Sequence, residues 1–110
     1  MGRFIKGDVV VLPFPFSDLT SSKKRPALVV ANLTGDDVIV CLITSQNAKD
    51  ICAIYLSNDD FASGSLKQNS HIRPNRLFTA DSKIVLYRIG TLEKEKAKQV
   101  AEKIIGIFSR

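Results

Sequence analysis

The sequence has few of the residues that bind metals or form covalent cross-links. It contains one histidine, one methionine, two cysteines and no tryptophan. Cys41 and Cys52 lie in separate apolar segments, not in the closely spaced pairs that hold zinc. We therefore expect both thiols to be buried and reduced, and we predict neither a metal nor another cofactor.

Long hydrophobic segments are also missing. The longest apolar runs have the length of a β-strand and are interrupted by charges, so none could cross a bilayer as a helix. The N-terminal residues Met1–Lys6 lack the apolar core of a signal peptide, and the chain has no repeat or low-complexity tract. These features predict a single domain over residues 1–110, located in the cytoplasm and without membrane contact.

Basic residues outnumber acidic ones, 16 Lys and Arg against 11 Asp and Glu, which gives a formal net charge of +5. Such a balance permits a polyanionic partner, and the placement of the charges is more informative. The acidic pairs Asp36-Asp37 and Asp59-Asp60 fall in predicted turns, whereas basic residues gather near two predicted strand entrances. The two basic clusters are Lys23, Lys24 and Arg25, and Lys67, His71, Arg73 and Arg76.

Short apolar segments separated by turn residues predict a mainly β protein. A change to helical spacing after Gly90, with Thr91 as the N-cap, predicts one amphipathic C-terminal helix. Such a pattern favours a small SH3-like β-barrel whose open face the helix covers. Lys83–Gly90 is expected to be extended or irregular, and Asn58–Gly64 to be a connector. The predicted strands are Val9–Leu12, Pro26–Asn32, Val38–Ser45, Ile51–Leu56, Ser70–Arg73 and Arg76–Thr79.

Arg25 joins a basic loop to the second predicted strand. Pro26 biases Arg25 toward extended backbone angles and cannot donate to a sheet ladder, so the pair marks a strand entrance with the guanidinium at its edge. The rigid fork of arginine matches the oxygens of a phosphate and stays charged at physiological pH. A phosphate clamp is one interpretation, and an ordinary surface arginine beside a strand is the other.

Thr44, Ser45 and Gln46 give the apolar third strand a polar end. Hydroxyls in such a position most often bond to nearby backbone. If the second and third strands are antiparallel neighbours joined at Gly35, however, Arg25 lies beside Thr44 and Ser45 at one edge of the sheet. A guanidinium and one or two hydroxyls then converge without a carboxylate to neutralise the charge.

Two further features have open interpretations. The loop Pro13–Ser22 carries the rings of Phe14 and Phe16, which either pack the loop onto the barrel rim or form a flap that stacks on nucleobases. His71 could act as a general acid or base, because imidazole titrates near neutrality. A lone histidine in an alternating strand is nevertheless more often a surface or interface residue.

Motifs spread over nearly the whole chain follow one another in the order Gly7–Val10, Pro13–Phe16, Lys24–Val30, Ile43–Ser45, Ser70–Arg73 and Ile89–Leu92. In this order they resemble the MazF/PemK-like family of type II toxins. The resemblance implies the barrel fold of MazF-like and CcdB-like toxins, a homodimer, a metal-independent endoribonuclease acting on single-stranded RNA, and inhibition by a cognate antitoxin. It also implies that Arg25 is the catalytic arginine and Thr44 the catalytic hydroxyl.

In that activity a ribose 2′-hydroxyl attacks its neighbouring phosphate, and the 5′-oxygen leaves. Arg25 would stabilise the charge on the phosphoryl oxygens, while Thr44, helped by Ser45, would orient the phosphate or the attacking hydroxyl. Arginine is a poor base because it is always protonated, so the sequence does not identify the general base. The predicted substrate-binding residues are Lys23, Lys24, Phe14, Phe16, Ser45, Gln46, Ser70, His71, Arg73 and Arg76.

The alternative is a non-catalytic protein with the same barrel, either a gyrase-poisoning toxin or an inactive relative. It would act by binding a protein and would not need Arg25 beside Thr44, and a basic loop suits RNA better than an acidic protein. We also predict a homodimer, because the apolar strands exceed what one helix can cover. A partly disordered acidic antitoxin segment is expected across Pro13–Arg25 and Lys67–Arg76.

Overall fold

The computed structural model describes residues 4–14, 23–46 and 50–110. Within them, seven strands form one antiparallel sheet and a 15-residue helix follows. The elements are β1 (Asp8–Phe14), β2 (Lys23–Asn32), β3 (Asp37–Thr44), β4 (Ile54–Leu56), β5 (Phe61–Gly64), β6 (Ser70–Asp81), β7 (Tyr87–Leu92) and α1 (Lys94–Phe108). The strand order across the sheet is β4, β6, β3, β2, β1, β7, β5. Among the described residues, no helix is long and apolar enough to cross a membrane.

The interior strand β1 is buried on both of its faces. Val9 packs in one cluster with its β2 partner Leu28 and with Val100 of α1. Val10 and its β2 partner Ala27 belong to a second cluster, and consecutive residues of a strand point to opposite faces of a sheet. Burial on both faces explains why β1 is continuously apolar and does not alternate with polar residues.

Asp8 at the start of β1 is buried, with an exposed fraction of 1%. Its carboxylate accepts hydrogen bonds from the backbone N–H of Ile5 and from the hydroxyl of Thr91, each at 3.0 Å, and lies 3.7 Å from the guanidinium of Arg88. Gly7 precedes it with a φ of +100°, which glycine adopts without steric cost. This Gly-Asp pair therefore ties β1 to β7 and is structural.

Two predicted strands are one strand in the structure, because β6 runs without a break from Ser70 to Asp81. Its register against β3 shifts between Cys41, which lies opposite Leu77, and Leu42, which lies opposite Arg73. The additional residues of β6 form a bulge, and a bulge lets a strand contain a proline. The predicted turn at Pro74-Asn75 is therefore wrong.

The start of α1 also differs from the prediction. The helix begins at Lys94 with Glu93 as its N-cap, whereas Thr91 belongs to β7 and donates its hydroxyl to Asp8. A tertiary hydrogen bond thus overrides the local capping preference of this threonine. The predicted connector Asn58–Gly64 contains a short 3₁₀ helix followed by β5, which pairs with β7.

Strand β4 begins at Ile54, three positions later than predicted, because Asp50 closes a turn before it. The Asp50 carboxylate accepts from the N–H of Cys52 at 2.9 Å, and its carbonyl accepts from the N–H of Ala53 at 3.1 Å. Both cysteines are buried and free, as predicted. Burial raises the pKa of the Cys41 thiol to about 12, so this thiol stays protonated at neutral pH.

Candidate active site

The candidate site lies where β2 and β3 separate. The pairing of β2 with β1 continues as far as Lys23, which lies opposite Phe14. The pairing of β2 with β3 stops earlier, at Ala27 opposite Leu42. Pro26 comes next and has no N–H with which to extend a ladder. The ends of β2 and β3 therefore pair only with β1 and β6, and among the described residues they do not pair with each other beyond Ala27 and Leu42.

Arg25 and Thr44 lie at these two strand ends. The strands are antiparallel neighbours, as predicted, and continuing their register by two residues sets Arg25 opposite Thr44. Opposite residues of antiparallel strands present their side chains on the same face, so Arg25 and Thr44 belong to one face of the sheet, beyond the last β2–β3 pair. Arg25 is partly buried, with its Nε covered by protein, so the stem of this side chain is held by its surroundings.

The hydroxyl of Thr44 is fixed by the local chain. Its Oγ1 accepts a hydrogen bond from the backbone N–H of Gln46 at 3.1 Å. This is the strand-end contact to backbone that the sequence allowed, and it uses only the acceptor side of the hydroxyl. Among the described residues, the hydroxyl of Thr44 donates to no acceptor, so its proton can be donated to an anion, and Ser45 and Gln46 are exposed beside it.

Two rings continue this arrangement across the sheet. His71 of β6 lies opposite Thr44, and Tyr55 of β4 lies opposite His71. The rings of Tyr55 and His71 contact edge to face, with centroids 5.7 Å apart and planes at 69°. In the described part of the chain, the buried Nδ1 of His71 has no hydrogen-bond partner. Arg25, Thr44, His71 and Tyr55 thus form one line of side chains on one face, the cross-strand row.

A cleft of about 470 Å³ opens beside Arg25. Its cations come from both predicted basic clusters, Lys24 and Arg25 from the first and Lys67 from the second, and Leu66 and Tyr87 add apolar surface. None of the described residues that line it is acidic. Because Lys24 neighbours Arg25 on β2, it belongs to the face opposite the cross-strand row. A chain of phosphates could therefore pass over the strand ends from the row into the cleft.

Phe14 packs in the core and is not part of the predicted stacking flap. It is 5% exposed, belongs to the same core cluster as Leu12, and packs edge to face on Phe78 with centroids 4.5 Å apart. Its ring face is therefore not available to a nucleobase, and the alternative interpretation, a ring packed against the barrel, describes it. Phe16 lies outside the described residues.

Arg73 and Ser70 are also engaged within the protein. The guanidinium of Arg73 lies 3.4 Å from the carboxylate of Asp50, which offsets part of its charge, and its contact with a substrate stays a prediction. The backbone N–H of Cys52, and then Asn75 and Arg73, hold the pKa of Asp50 below its ordinary value. Ser70 is 4% exposed and donates its hydroxyl to the carbonyl of Gln68 at 3.1 Å, which leaves it little capacity for a substrate.

The remaining predicted substrate ligands, Lys23, Lys24 and Arg76, are exposed, and their contact with a substrate stays a prediction. The sequence analysis did not single out Tyr55, although the burial of Ile54 and Leu56 on either side of it follows the alternation of a strand. It did not single out Asp50 either, for which the sequence gives no signal.

Within the described ranges, no group of three His, Cys, Asp or Glu residues could hold a metal ion.

A profile of the PemK-like, MazF-like toxins of type II toxin–antitoxin systems matches residues 5–108. The chain belongs to this family. A MazF from Deinococcus radiodurans has a TM-score of 0.74 to it at 17% identity, over 97% of both chains. A MazF toxin from Mycobacterium tuberculosis has a TM-score of 0.71 at 19% identity, over 93% of this chain and 96% of that one. A comparison with curated protein sequences finds no match.

A third similar structure is an endoribonuclease in complex with its cognate antitoxin from a mycobacterial species. Its TM-score is 0.71 at 12% identity, and the likeness covers 96% of this chain and 97% of that chain. At such identities these likenesses establish the fold alone. The predicted MazF-like toxin fold and the predicted family are thus both confirmed.

Proposed function

We propose that this MazF-like protein is the toxin of a type II toxin–antitoxin system and cleaves single-stranded RNA as an endoribonuclease. The observation that supports the proposal is the antiparallel β2–β3 register, which, continued two residues past its last pair, aligns Arg25 with Thr44. A guanidinium and a hydroxyl that can still donate its proton are the groups needed to hold a phosphate and stabilise negative charge on it. Similar structures described as endoribonucleases support the same activity.

The reaction is an in-line transfer within the RNA. The 2′-hydroxyl loses its proton as its oxygen bonds to the adjacent phosphorus, the bond from phosphorus to the 5′-oxygen breaks, and the 5′-oxygen takes up a proton from solvent. The products are a 2′,3′-cyclic phosphate and a 5′-hydroxyl. Arg25 stabilises the charge that grows on the phosphoryl oxygens, and Thr44 donates to one of them and fixes the phosphate. The attacking hydroxyl is internal to the substrate, and we propose that cleavage proceeds without a metal ion.

Lys24 and Lys67 hold neighbouring phosphates of the same strand in the cleft. Both are exposed, and both line the cleft that Arg25 borders. Each phosphate that such a contact neutralises releases counterions, so log Kd for single-stranded RNA should rise by about 0.7 per contact for each tenfold rise in salt.

We further propose two protein partners, a cognate antitoxin and a second copy of this chain. An extended acidic peptide fits the cationic cleft because it presents the same charge as RNA, so it should compete with RNA. A complex of MazE with MazF from Deinococcus radiodurans has the same toxin fold at 16% identity. Ile84 and Leu86 are 45% and 48% exposed and lie close together in sequence, which supports a homodimer contact.

The test is cleavage of an unstructured RNA oligonucleotide by purified protein in EDTA. We expect cleavage at defined positions, with a 2′,3′-cyclic phosphate at the new 3′ end and no cleavage of the DNA of the same sequence. An oligonucleotide with 2′-deoxyribose only at the cleaved position should also resist, because the attacking group is absent. If the protein leaves RNA intact under all ionic conditions, it is a non-catalytic binding protein and the proposal fails.

A further inference from the structure

Tyr55 is an exposed aromatic residue in the cross-strand row. Its side chain is 52% exposed, whereas its neighbours Ile54 and Leu56 are buried in the core below. It lies on β4, the last strand at one edge of the sheet, so no further described strand covers it on that side. With Phe14 buried in the core, Tyr55 is the row's exposed aromatic surface.

The register relates Tyr55 to the phosphate site. Thr44 and Tyr55 are separated by β6 alone, with His71 between them. Neighbouring strands lie about 4.8 Å apart, so the backbones of Thr44 and Tyr55 are about 10 Å apart. The base of a nucleotide next to the phosphate held by Arg25 and Thr44 is within reach of a side chain at that distance.

We propose that Tyr55 is the residue on which a nucleobase next to the scissile phosphate stacks. This inference rests on the proposed function, because it assumes that single-stranded RNA lies along the row. The edge-to-face contact with His71 restricts the orientations of the Tyr55 ring, so the platform is set before the RNA binds. Stacking on tyrosine accepts any base, and Tyr55 therefore adds affinity and position without sequence preference.

Tyr87 is the competing platform and is similarly exposed, at 54%. It lies opposite Val11 of β1 and lines the cleft, so it belongs to the face of Lys24 and not to the face of Arg25 and Thr44. A base could therefore stack on Tyr55, on the face of Arg25 and Thr44, or on Tyr87, on the face of Lys24. Substituting each tyrosine in turn distinguishes these two positions.

The experiment measures binding of a fluorescent RNA in which the cleaved position carries 2′-deoxyribose, so that it stays intact. A set of such oligonucleotides lacks one base at a time, and the ratio of affinities with and without that base is taken within each protein variant. Partial unfolding lowers both affinities equally and leaves the ratio unchanged. The variants are Tyr55→Leu, which keeps an apolar body without a ring, Tyr55→Phe, which keeps the ring, and Tyr87→Leu.

For the wild type we expect one position, adjoining the cleaved phosphate, at which removing the base lowers affinity by about 5- to 150-fold, the range for one stacked base. Tyr55→Leu should weaken binding of the complete RNA by a similar factor and abolish the effect of removing that base. Tyr55→Phe and Tyr87→Leu should keep the effect.

A base effect that survives in Tyr55→Leu, or one that disappears in Tyr87→Leu, would overturn the inference. In both cases the wild type still binds and cleaves RNA, so the proposed function stands and only the role of Tyr55 is rejected. A wild-type protein that neither binds nor cleaves single-stranded RNA would overturn both.

Discussion

Replacing Asp8 by alanine tests the structural role that we assign to the Gly-Asp pair. Alanine leaves the N–H of Ile5 and the hydroxyl of Thr91 without their acceptor; both hydrogen bonds are partly buried, so each loss costs less than the upper end of the about 1–3 kcal/mol of a fully buried donor. The contact with Arg88 adds little, because that side chain is 55% exposed and solvent screens its charge. Relief from burying a carboxylate offsets part of the loss, so we expect a destabilisation of about 1–3 kcal/mol.

Urea unfolding followed by circular dichroism gives the free energies of unfolding of Asp8→Ala, Thr91→Val and the double variant. The two side chains share a hydrogen bond, so their effects should fall short of additivity by about 1 kcal/mol. Asp59→Ala is the control, because Asp59 is exposed and its loss should change stability by less than about 0.5 kcal/mol. An Asp8→Ala variant as stable as the Asp59→Ala control would refute the reasoning.

Two further predictions concern stability. In Gly90→Ala the new Cβ meets the backbone of Ser63 and Gly64, which cannot retreat without breaking the β5–β7 pairing, so we expect a loss of at least about 1–3 kcal/mol in thermal unfolding. Gly106→Ala in α1 has open space around it and should be neutral or stabilising by up to about 1 kcal/mol, and equal effects of the two would contradict this. Because hydrogen bonds lower the pKa of Asp50, its carboxylate stabilises the fold above about pH 4, and this contribution is lost as the pH falls through the lowered pKa. Asp50→Asn should therefore have a lower free energy of unfolding than the wild type at pH 7. If this difference between the two proteins is as large at pH 2, the assigned role of the Asp50 carboxylate is wrong.

The sequence predicted those parts of the fold that depend on neighbouring residues. The hairpin of β2 and β3 closes through a short turn, so its antiparallel register follows from the chain itself, and with it the placement of Arg25 and Thr44 at neighbouring strand ends. The helix was recognisable because apolar residues such as Val100 and Ile104 recur at helical spacing. Its start was misplaced because Thr91 bonds to Asp8, more than 80 positions earlier in the chain.

Features that depend on distant parts of the chain could not be predicted. Tyr55 joins the row of Thr44 only because β6 lies between β3 and β4 in space, although it follows both in sequence. Phe14 is a core residue because Phe78, on β6, packs against its ring. Arg73 is engaged because Asp50 precedes β4 and lies next to β6. The residues adjacent in sequence to Tyr55, Phe14 and Arg73 do not indicate such contacts.

The most direct test of the central claim is single-turnover cleavage of RNA in EDTA by Arg25 variants. The account predicts that Arg25→Ala keeps the wild-type fold and slows cleavage by about 10²–10³-fold, the scale for losing one preorganised donor to the transition state. Arg25→Lys should be similarly impaired, because a point charge cannot make the two-pronged phosphate contact. Lys83→Ala, which removes an exposed cation elsewhere, should cleave at the wild-type rate. Wild-type rates in both Arg25 variants would contradict the account and remove Arg25 from the mechanism.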